Sequence, residues 1–257
     1  MKRTRIWIAM WIGFSVGFVI IGDVPVRAER TVRVNVDSDG RAATGGDSYA
    51  PSISDDGRYV AFESDAGNLV TDDTGVRDIF VHDRDADENG VFDETHAGAI
   101  KTVQVNVDSD GNVATQGHSY APSISGDGRY VAFESDAGNL VTDDTGVRDI
   151  FVHDRDADEN GVFDETHAGA IKTVQVNVDS DGNAATQEDS WAPSISDDGR
   201  YVAFESDAGD LVTGDTGVRD IFVHDRDADG NGVFDETHAG AIKTVQVNVD
   251  SDGNAAT

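Results

Sequence analysis

Residues 31–101, 102–172 and 173–243 are one sequence written three times at a period of 71, and a fourth copy runs from Thr244 to Thr257. A fixed period of this size builds an array of supersecondary units that bury their faces against one another. The first two copies differ at six positions: Arg33/Gln104, Arg41/Asn112, Ala42/Val113, Gly45/Gln116, Asp47/His118 and Asp55/Gly126. From Gly57 to Lys101 and from Gly128 to Lys172 they are identical. Copies this close point to recent duplication, so a motif that recurs in all three has one origin and is not supported three times over.

Each unit carries four short β-type runs separated by turn chemistry. In the second copy these are Thr102–Val107, Tyr120–Ser125, Tyr130–Glu134 and Asp149–His153, rich in Val, Ile, Phe, Tyr and Thr and in several cases alternating with period two. Gly126-Asp127-Gly128-Arg129 is a tight-turn signal between the second and third runs, and Asp108-Ser109-Asp110-Gly111 closes the first. Past the N-terminal segment no stretch has helical periodicity. Four antiparallel strands per unit, repeated, predict an all-β chain of β-propeller type.

The run Ala121-Pro122-Ser123-Ile124-Ser125-Gly126-Asp127-Gly128-Arg129-Tyr130-Val131-Ala132-Phe133, with the later Val147-Arg148-Asp149-Ile150-Phe151-Val152-His153-Asp154-Arg155, resembles the WD40-like repeat of TolB-type propellers. The resemblance spans most of each unit. It implies blades whose inner strand carries Pro-Ser-Ile-Ser and whose outer strand carries Val-Gln-Val-Asn-Val. The functions it brings with it range from envelope scaffolds to propeller domains attached to peptidases, and fold does not choose among them. Two features depart from the family. The 71-residue unit exceeds an ordinary blade of roughly 40–45 residues, with the excess between the third and fourth strands. The chain also holds only three full blades, Tyr49–Val107, Tyr120–Val178 and Trp191–Val249, and an extra opening strand, Thr31–Val36, against the four to eight blades usual for a closed ring. The expectation is an incomplete or open ring, either part of a longer array or a short chain that completes its ring by self-association.

The first 28 residues read as an export signal. Lys2, Arg3 and Arg5 form a basic start, Ile6 to Gly22 is an apolar run of 17 residues, and Val26-Arg27-Ala28 offers small residues at a signal-peptidase site. Cleavage after Ala28 is expected, with an uncleaved anchor as the alternative. Residues 29–257 then form the repeat region, exported to the periplasm, the cell surface or the medium. Gly13-Phe14-Ser15-Val16-Gly17 matches the nucleophile elbow of hydrolases, but it sits in the apolar core of this signal and not on a strand-to-helix turn.

The whole chain has a net charge of −31, and removing residues 1–28 takes away four of 19 basic and one of 50 acidic residues, leaving −34. Such a surface repels nucleic acid and anionic lipid and attracts cations. It is also what a soluble secreted protein or a halophilic one displays. There is no cysteine, so an exported chain of this kind is held by its core, by metal or by assembly.

The insertion in each blade reads Asp-x-Asp-x-Asn-Gly-x-x-Asp-Glu: Asp85–Glu94, Asp156–Glu165 and Asp227–Glu236. Hard Ca2+ takes six to eight oxygens. Alternation places the Asp85, Asp87 and Asn89 side chains on the concave side of one loop, Gly90 permits the turn, Val91 offers its carbonyl, and Asp93 closes the shell directly or through water. The pattern matches the first nine positions of an EF-hand loop and lacks its final Glu, where His96, His167 and His238 stand. It is more similar to the loops in the propeller hairpins of integrin α-chains. That resemblance implies ligands at Asp85, Asp87, Asn89, Val91 and Asp93, at Asp156, Asp158, Asn160, Val162 and Asp164, and at Asp227, Asp229, Asn231, Val233 and Asp235. Glu94, Glu165 and Glu236 could add an oxygen. The missing Glu and the Asn at the fifth position suggest modest affinity, suited to millimolar calcium. The competing reading is a plain polar hairpin tip.

Other candidates are weaker. Asp108–Asn112 could hold a second ion or form only a turn. His82, His153 and His224 precede Asp83, Asp154 and Asp225, yet no nucleophile accompanies these pairs, and a strand-end structural role is expected. Arg58, Arg129 and Arg200 should pair with nearby carboxylates. Tyr49, Tyr120 and Trp191 should pack on their strands. The expected function is an exported, calcium-stabilised, non-catalytic binding or scaffold module with a protein or glycan ligand, no nucleic-acid or membrane partner, and no enzymatic activity. The alternatives are an accessory propeller of a secreted hydrolase or peptidase and a repetitive calcium-dependent adhesion or matrix protein.

Overall fold

The structure, a computed structural model, describes residues 31–257 other than 72, 74, 143, 145, 187, 216, 252–254 and 256–257. The expected export signal and the Gly13–Gly17 motif lie outside the described residues. Every strand among the described residues lies in one compact unit, Arg33–Thr257. No helix occurs among the described residues.

The first blade is β1 (Ser48–Ile53), β2 (Tyr59–Ser64), β3 (Asp78–Asp83) and β4 (Lys101–Gln104). The second is β5 (Ser119–Ile124), β6 (Tyr130–Ser135), β7 (Asp149–Asp154) and β8 (Lys172–Gln175). The third is β9 (Ser190–Ile195), β10 (Tyr201–Ser206), β11 (Asp220–Asp225) and β12 (Lys243–Gln246). Each forms one antiparallel sheet in chain order, and no sheet closes on itself. The all-β, propeller-type blade array expected from the period is the fold observed.

Residues 31–36, expected as an extra strand, contribute the isolated bridge Val36–Ala42. The same bridge recurs as Val107–Val113, Val178–Ala184 and Val249–Ala255. The opening segment therefore has the form of the connector that follows each blade.

The two central strands of each blade pair without interruption, from Tyr59–Asp83 to Ser64–Asp78 in the first. The inner strand bulges between Tyr49 and Ser52. Pro51 has no N–H to give a ladder there, and Ala50 before it adopts φ 47°, as Ala121 and Ala192 do at 49° and 51°. The outer strand is shorter than expected, ending at Gln104 instead of Val107. Beyond it the Asn106 side chain replaces the ladder: its Oδ1 accepts the Ile79 N–H at 3.0 Å, and its amide donates to Asp78 at 2.6 Å and to Ser119 at 3.1 Å. Asn106 thus ties the third strand of one blade to the first strand of the next, and Asn177 repeats this with Asp149 and Ser190.

The core lies between blades. Tyr59, Ala61, Ile79 and Val81 of the first blade pack with Ile124, Val131, Phe133 and Phe151 of the second. Tyr130, Ala132, Ile150 and Val152 pack in the same way with Ile195, Val202, Phe204 and Phe222. Period-two alternation supplies both layers, because odd and even residues of one strand face opposite neighbours.

Candidate metal centre

The inserted loop leaves the third strand at a fixed anchor. Arg58 forks onto Asp83, Nε and Nη2 each at 2.9 Å, as expected for this arginine. Arg129 makes the same fork on Asp154, and Arg200 on Asp225. Asp83 Oδ1 also accepts the Asp85 N–H at 2.9 Å, which starts the loop turning. The base is closed by Ala86 N–H to the Ala99 carbonyl, 2.8 Å.

Within this frame Asp85 is buried and accepts the Asn89 N–H at 3.1 Å and the Gly90 N–H at 2.9 Å. Gly90 has φ 78°, the left-handed turn expected of it. The Asn89 amide donates to Asp87 at 2.8 Å and Glu94 at 2.6 Å, while its Oδ1 accepts the Val91 N–H at 2.8 Å. His96 Nε2 lies 3.3 Å from Asp87 and 3.5 Å from Glu94. The ligand atoms of Asp87, Glu94 and His96 all fall within 4.8 Å of one another, and Asp158, Glu165, His167 and Asp229, Glu236, His238 repeat the group.

The second and third loops are built alike. Asp156 accepts from Asn160 and Gly161, each at 3.0 Å, and Asp227 from Asn231 and Gly232 at 2.9 and 3.1 Å. Asn160 bridges Asp158 and Glu165, and Asn231 bridges Asp229 and Glu236. Val162 and Val233 are exposed, each donating its N–H to the preceding loop asparagine.

The ninth loop position has different company. Asp93 receives a forked pair from Arg84, Nε 2.9 Å and Nη2 2.7 Å, and the third guanidinium nitrogen donates to the Gly57 carbonyl at 2.7 Å. Asp164 pairs with Arg155 at 2.6 Å and Asp235 with Arg226 at 2.5 Å. Burial works against charge on Asp164, but Arg155 outweighs it and holds the carboxyl below its usual range. Arg155 is sandwiched between the ring of Tyr59, 4.8 Å away in the preceding blade, and that of Phe163, 4.9 Å away in its own loop. Asp93, Asp164 and Asp235 therefore fasten the loop to its blade, apart from the cluster at the tip. The sequence pattern singled out Asp85, Asp87 and Asn89. It did not bring in His96, which stands eleven residues from Asp85 and approaches only because the loop doubles back.

The tip suits a cation in charge and atom type. Asp87 and Glu94 converge on the Asn89 amide, and Asp85 accepts from the backbone of the same turn. A carboxylate has about four lone-pair sites, so the two N–H bonds to Asp85 leave it capacity. The Asn89 amide nitrogen holds the two carboxylates together, and a half-turn of that amide would present its oxygen instead. Asp93 differs from Asp85 in that Arg84 already balances its charge, which suits it to an anchoring role.

The other candidates resolve into structure. Asp108 Oδ1 accepts the Asp110 and Asn112 N–H groups at 2.9 and 2.8 Å, an Asx-type turn. Tyr49 stacks under Arg77 at 4.8 Å, Tyr120 under Arg148 at 4.5 Å and Trp191 under Arg219 at 3.9 Å. His82 is buried with Nδ1 at 2.9 Å from the Thr102 hydroxyl, which itself donates to the Val36 carbonyl at 2.6 Å. A hydroxyl has one proton to give, so His82 is the donor and carries its proton on Nδ1. His153 and His224 make the same bond to Thr173 and Thr244.

Burial holds these three imidazoles down at about 4. Because the folded value lies below the ordinary 6.5, their contribution to stability is full above pH 6.5 and is lost as pH falls from there towards 4. Asp78 and Asp149 act in the opposite sense, burial raising them to about 6 and about 7, so the fold binds their protons better and gains on acidification. His153→Gln should therefore flatten the acid limb of a thermal-melting profile taken from pH 7 to 4.5, by up to about 1.4 kcal/mol per pH unit. An unchanged slope would show that His153 is not a buried neutral group.

No family model matches the sequence, and no curated protein matches it. Among solved structures, TolB from Acinetobacter baumannii is similar with a TM-score of 0.37 and 16% identity, over 81% of this chain and 36% of that one. The tricorn protease is similar with a TM-score of 0.41 and 13% identity, over 79% of this chain and 17% of that one. The chain spans less than half the length of either structure.

Proposed function

We propose that this chain is an exported, calcium-stabilised blade array acting as a non-catalytic binding or scaffold module for a protein or glycan. The observation that carries the reading is the loop tip, where two carboxylates and an asparagine amide converge beside a third, buried carboxylate in every blade. Once the asparagine amide turns its oxygen inward, the set is all-oxygen and suits a hard cation, and the neighbouring imidazole can serve as an outer partner. Asp85, Asp87, Asn89, the Val91 carbonyl and Glu94 would hold the ion in the first blade, with their equivalents in the other two. The metal's work is structural: it relieves like-charge repulsion and stiffens a hairpin that projects from the blade. A non-catalytic role is supported by the state of the recurrent histidines, which are buried, neutral and bonded to threonine and so poorly placed to move protons for a substrate.

The test is thermal unfolding at matched ionic strength with chelator, with Mg2+ and with millimolar Ca2+. Binding to the native state alone raises stability by mass action, about 2.7 kcal/mol per site at a hundred times the dissociation constant. The melt should rise with Ca2+ and much less with Mg2+, and Asp87→Asn should remove one blade's share of that rise. Superimposable melts in all three solutions would return the loops to plain turns.

A further inference from the structure

The repeats supply an internal control, because the same residue occurs with and without a neighbouring blade. Ile53 in the first blade is 57% exposed, whereas Ile124 and Ile195 are 7% and 9% exposed. Tyr201 in the third blade is 40% exposed, whereas Tyr59 and Tyr130 are each 7%. Val247 is 45% exposed, and Val105 and Val176 are fully buried. Sequence does not separate these positions; a packed neighbour does.

The two joints inside the chain share one set of contacts. The inner strand β5 seats on β1, β2 and β3, and β9 seats on β5, β6 and β7. The bulged alanine donates its N–H to a glutamate of the preceding blade, Ala121 to Glu63 at 2.7 Å and Ala192 to Glu134 at 2.9 Å. The isoleucine N–H donates to a serine hydroxyl, Ile124 to Ser52 and Ile195 to Ser123, both at 3.1 Å. A loop arginine stacks on a tyrosine, Arg155 on Tyr59 at 4.8 Å and Arg226 on Tyr130 at 4.7 Å. The third blade presents the receiving half of this set, Tyr201, Glu205 and Ser194. The first blade presents the entering half along β1, where Ala50, Pro51 and Ile53 are exposed.

We propose that β1 of one copy of this chain docks on the outward face of the third blade of a second copy and repeats the internal joint. Ala50 N–H then meets Glu205, Ile53 N–H meets Ser194, and Arg84 lies over Tyr201. The two halves differ, so the contact is head to tail, and it extends unless a ring closes. Two copies make six blades, within the four to eight of closed propellers. The outer position of the third blade is already filled by β12, so the incoming residues 31–44, which repeat 244–257, give way. Asn248, already bonded to Asp220, then replaces Asn35 as the partner of Ser48. None of these contacts uses the metal loop tip, so the proposal stands or falls apart from calcium.

The test is sedimentation velocity over a concentration series on the chain purified from expression of the full sequence. Ile53→Asp and Tyr201→Glu each alter an exposed side chain on one half of the joint. The unmodified chain should assemble, with a closed two-copy species dominant, and each variant alone should weaken assembly at least tenfold while melting as the unmodified chain does. An equimolar mixture of the two variants retains one intact joint and should give a heterodimer and nothing larger. Val247→Asp, on the receiving half, replaces Tyr201→Glu if that variant melts early. A chain that stays monomeric at every concentration, assembly indifferent to substitutions on both halves, or a mixture that behaves as its separate components would each overturn the proposal.

Discussion

Asp164→Ala is expected to cost about 3–5 kcal/mol of folding stability, a large fraction of the roughly 5–15 kcal/mol that holds a domain of ordinary size. Arg155, its partner, is buried to 1% exposure between Tyr59 and Phe163. Without the carboxylate the guanidinium keeps one carbonyl, that of Gly128 at 2.7 Å, and its charge stays buried without a direct counter-ion. Asp235→Ala should behave alike, since Arg226 is equally buried. Asp93→Ala should cost clearly less, about 1–2 kcal/mol, because Arg84 is only half-buried and has no tyrosine of a preceding blade above it among the described residues. Urea unfolding of the three variants in chelator, where metal cannot contribute, would check the order. Equal losses in all three blades would sink the account of Asp164 as the partner of a buried charge. The double change Arg155→Met with Asp164→Leu should recover most of the loss, because it removes both charges at once.

Gly128→Ala is expected to cost about 3 kcal/mol, of which roughly 1–2 is backbone strain at positive φ and the rest overpacking. Gly128 has φ 80°, and a Cβ there would stand 2.2 Å from the Tyr59 ring of the preceding blade. The turn glycine of the first blade, Gly57, has φ 75° but nothing nearer than 3.7 Å, the flexible end of Arg84. Gly57→Ala should therefore cost only the strain part. Thermal melts of the two variants separate the terms: the difference between them measures the packing of one blade on the next. If both lose the same amount, the Tyr59 contact has no energetic weight.

Much of this architecture is local and was legible in the chain. The 71-residue period gives the blades, period-two runs give the strands and their two faces, and Asp-Gly turns give the connections. The loop spacing of Asp85, Asp87 and Asn89 was readable too, because backbone geometry within a few residues decides which side chains converge. The outer strand ends at Gln104, three residues before the expected Val107, since nothing in Val-Asn-Val reveals that the asparagine will leave its ladder to bond Ile79, Asp78 and Ser119.

Other features needed the third dimension. By spacing, Asp93 belongs with the loop carboxylates; folding turns it to Arg84, whose guanidinium also bonds Gly57 in a turn 27 residues earlier. His96 joins the tip only when the loop closes on itself. Arg84 and Arg155 have the same neighbours in sequence and different burial, and Ile53 and Ile124 share theirs almost completely. Local periodicity and φ preference are enough to set the strands, the turns and what each blade face is made of. Which faces are covered and which charges are buried follows from packing alone, because burial depends on what stands opposite a residue, and in a repeat that differs from one copy to the next.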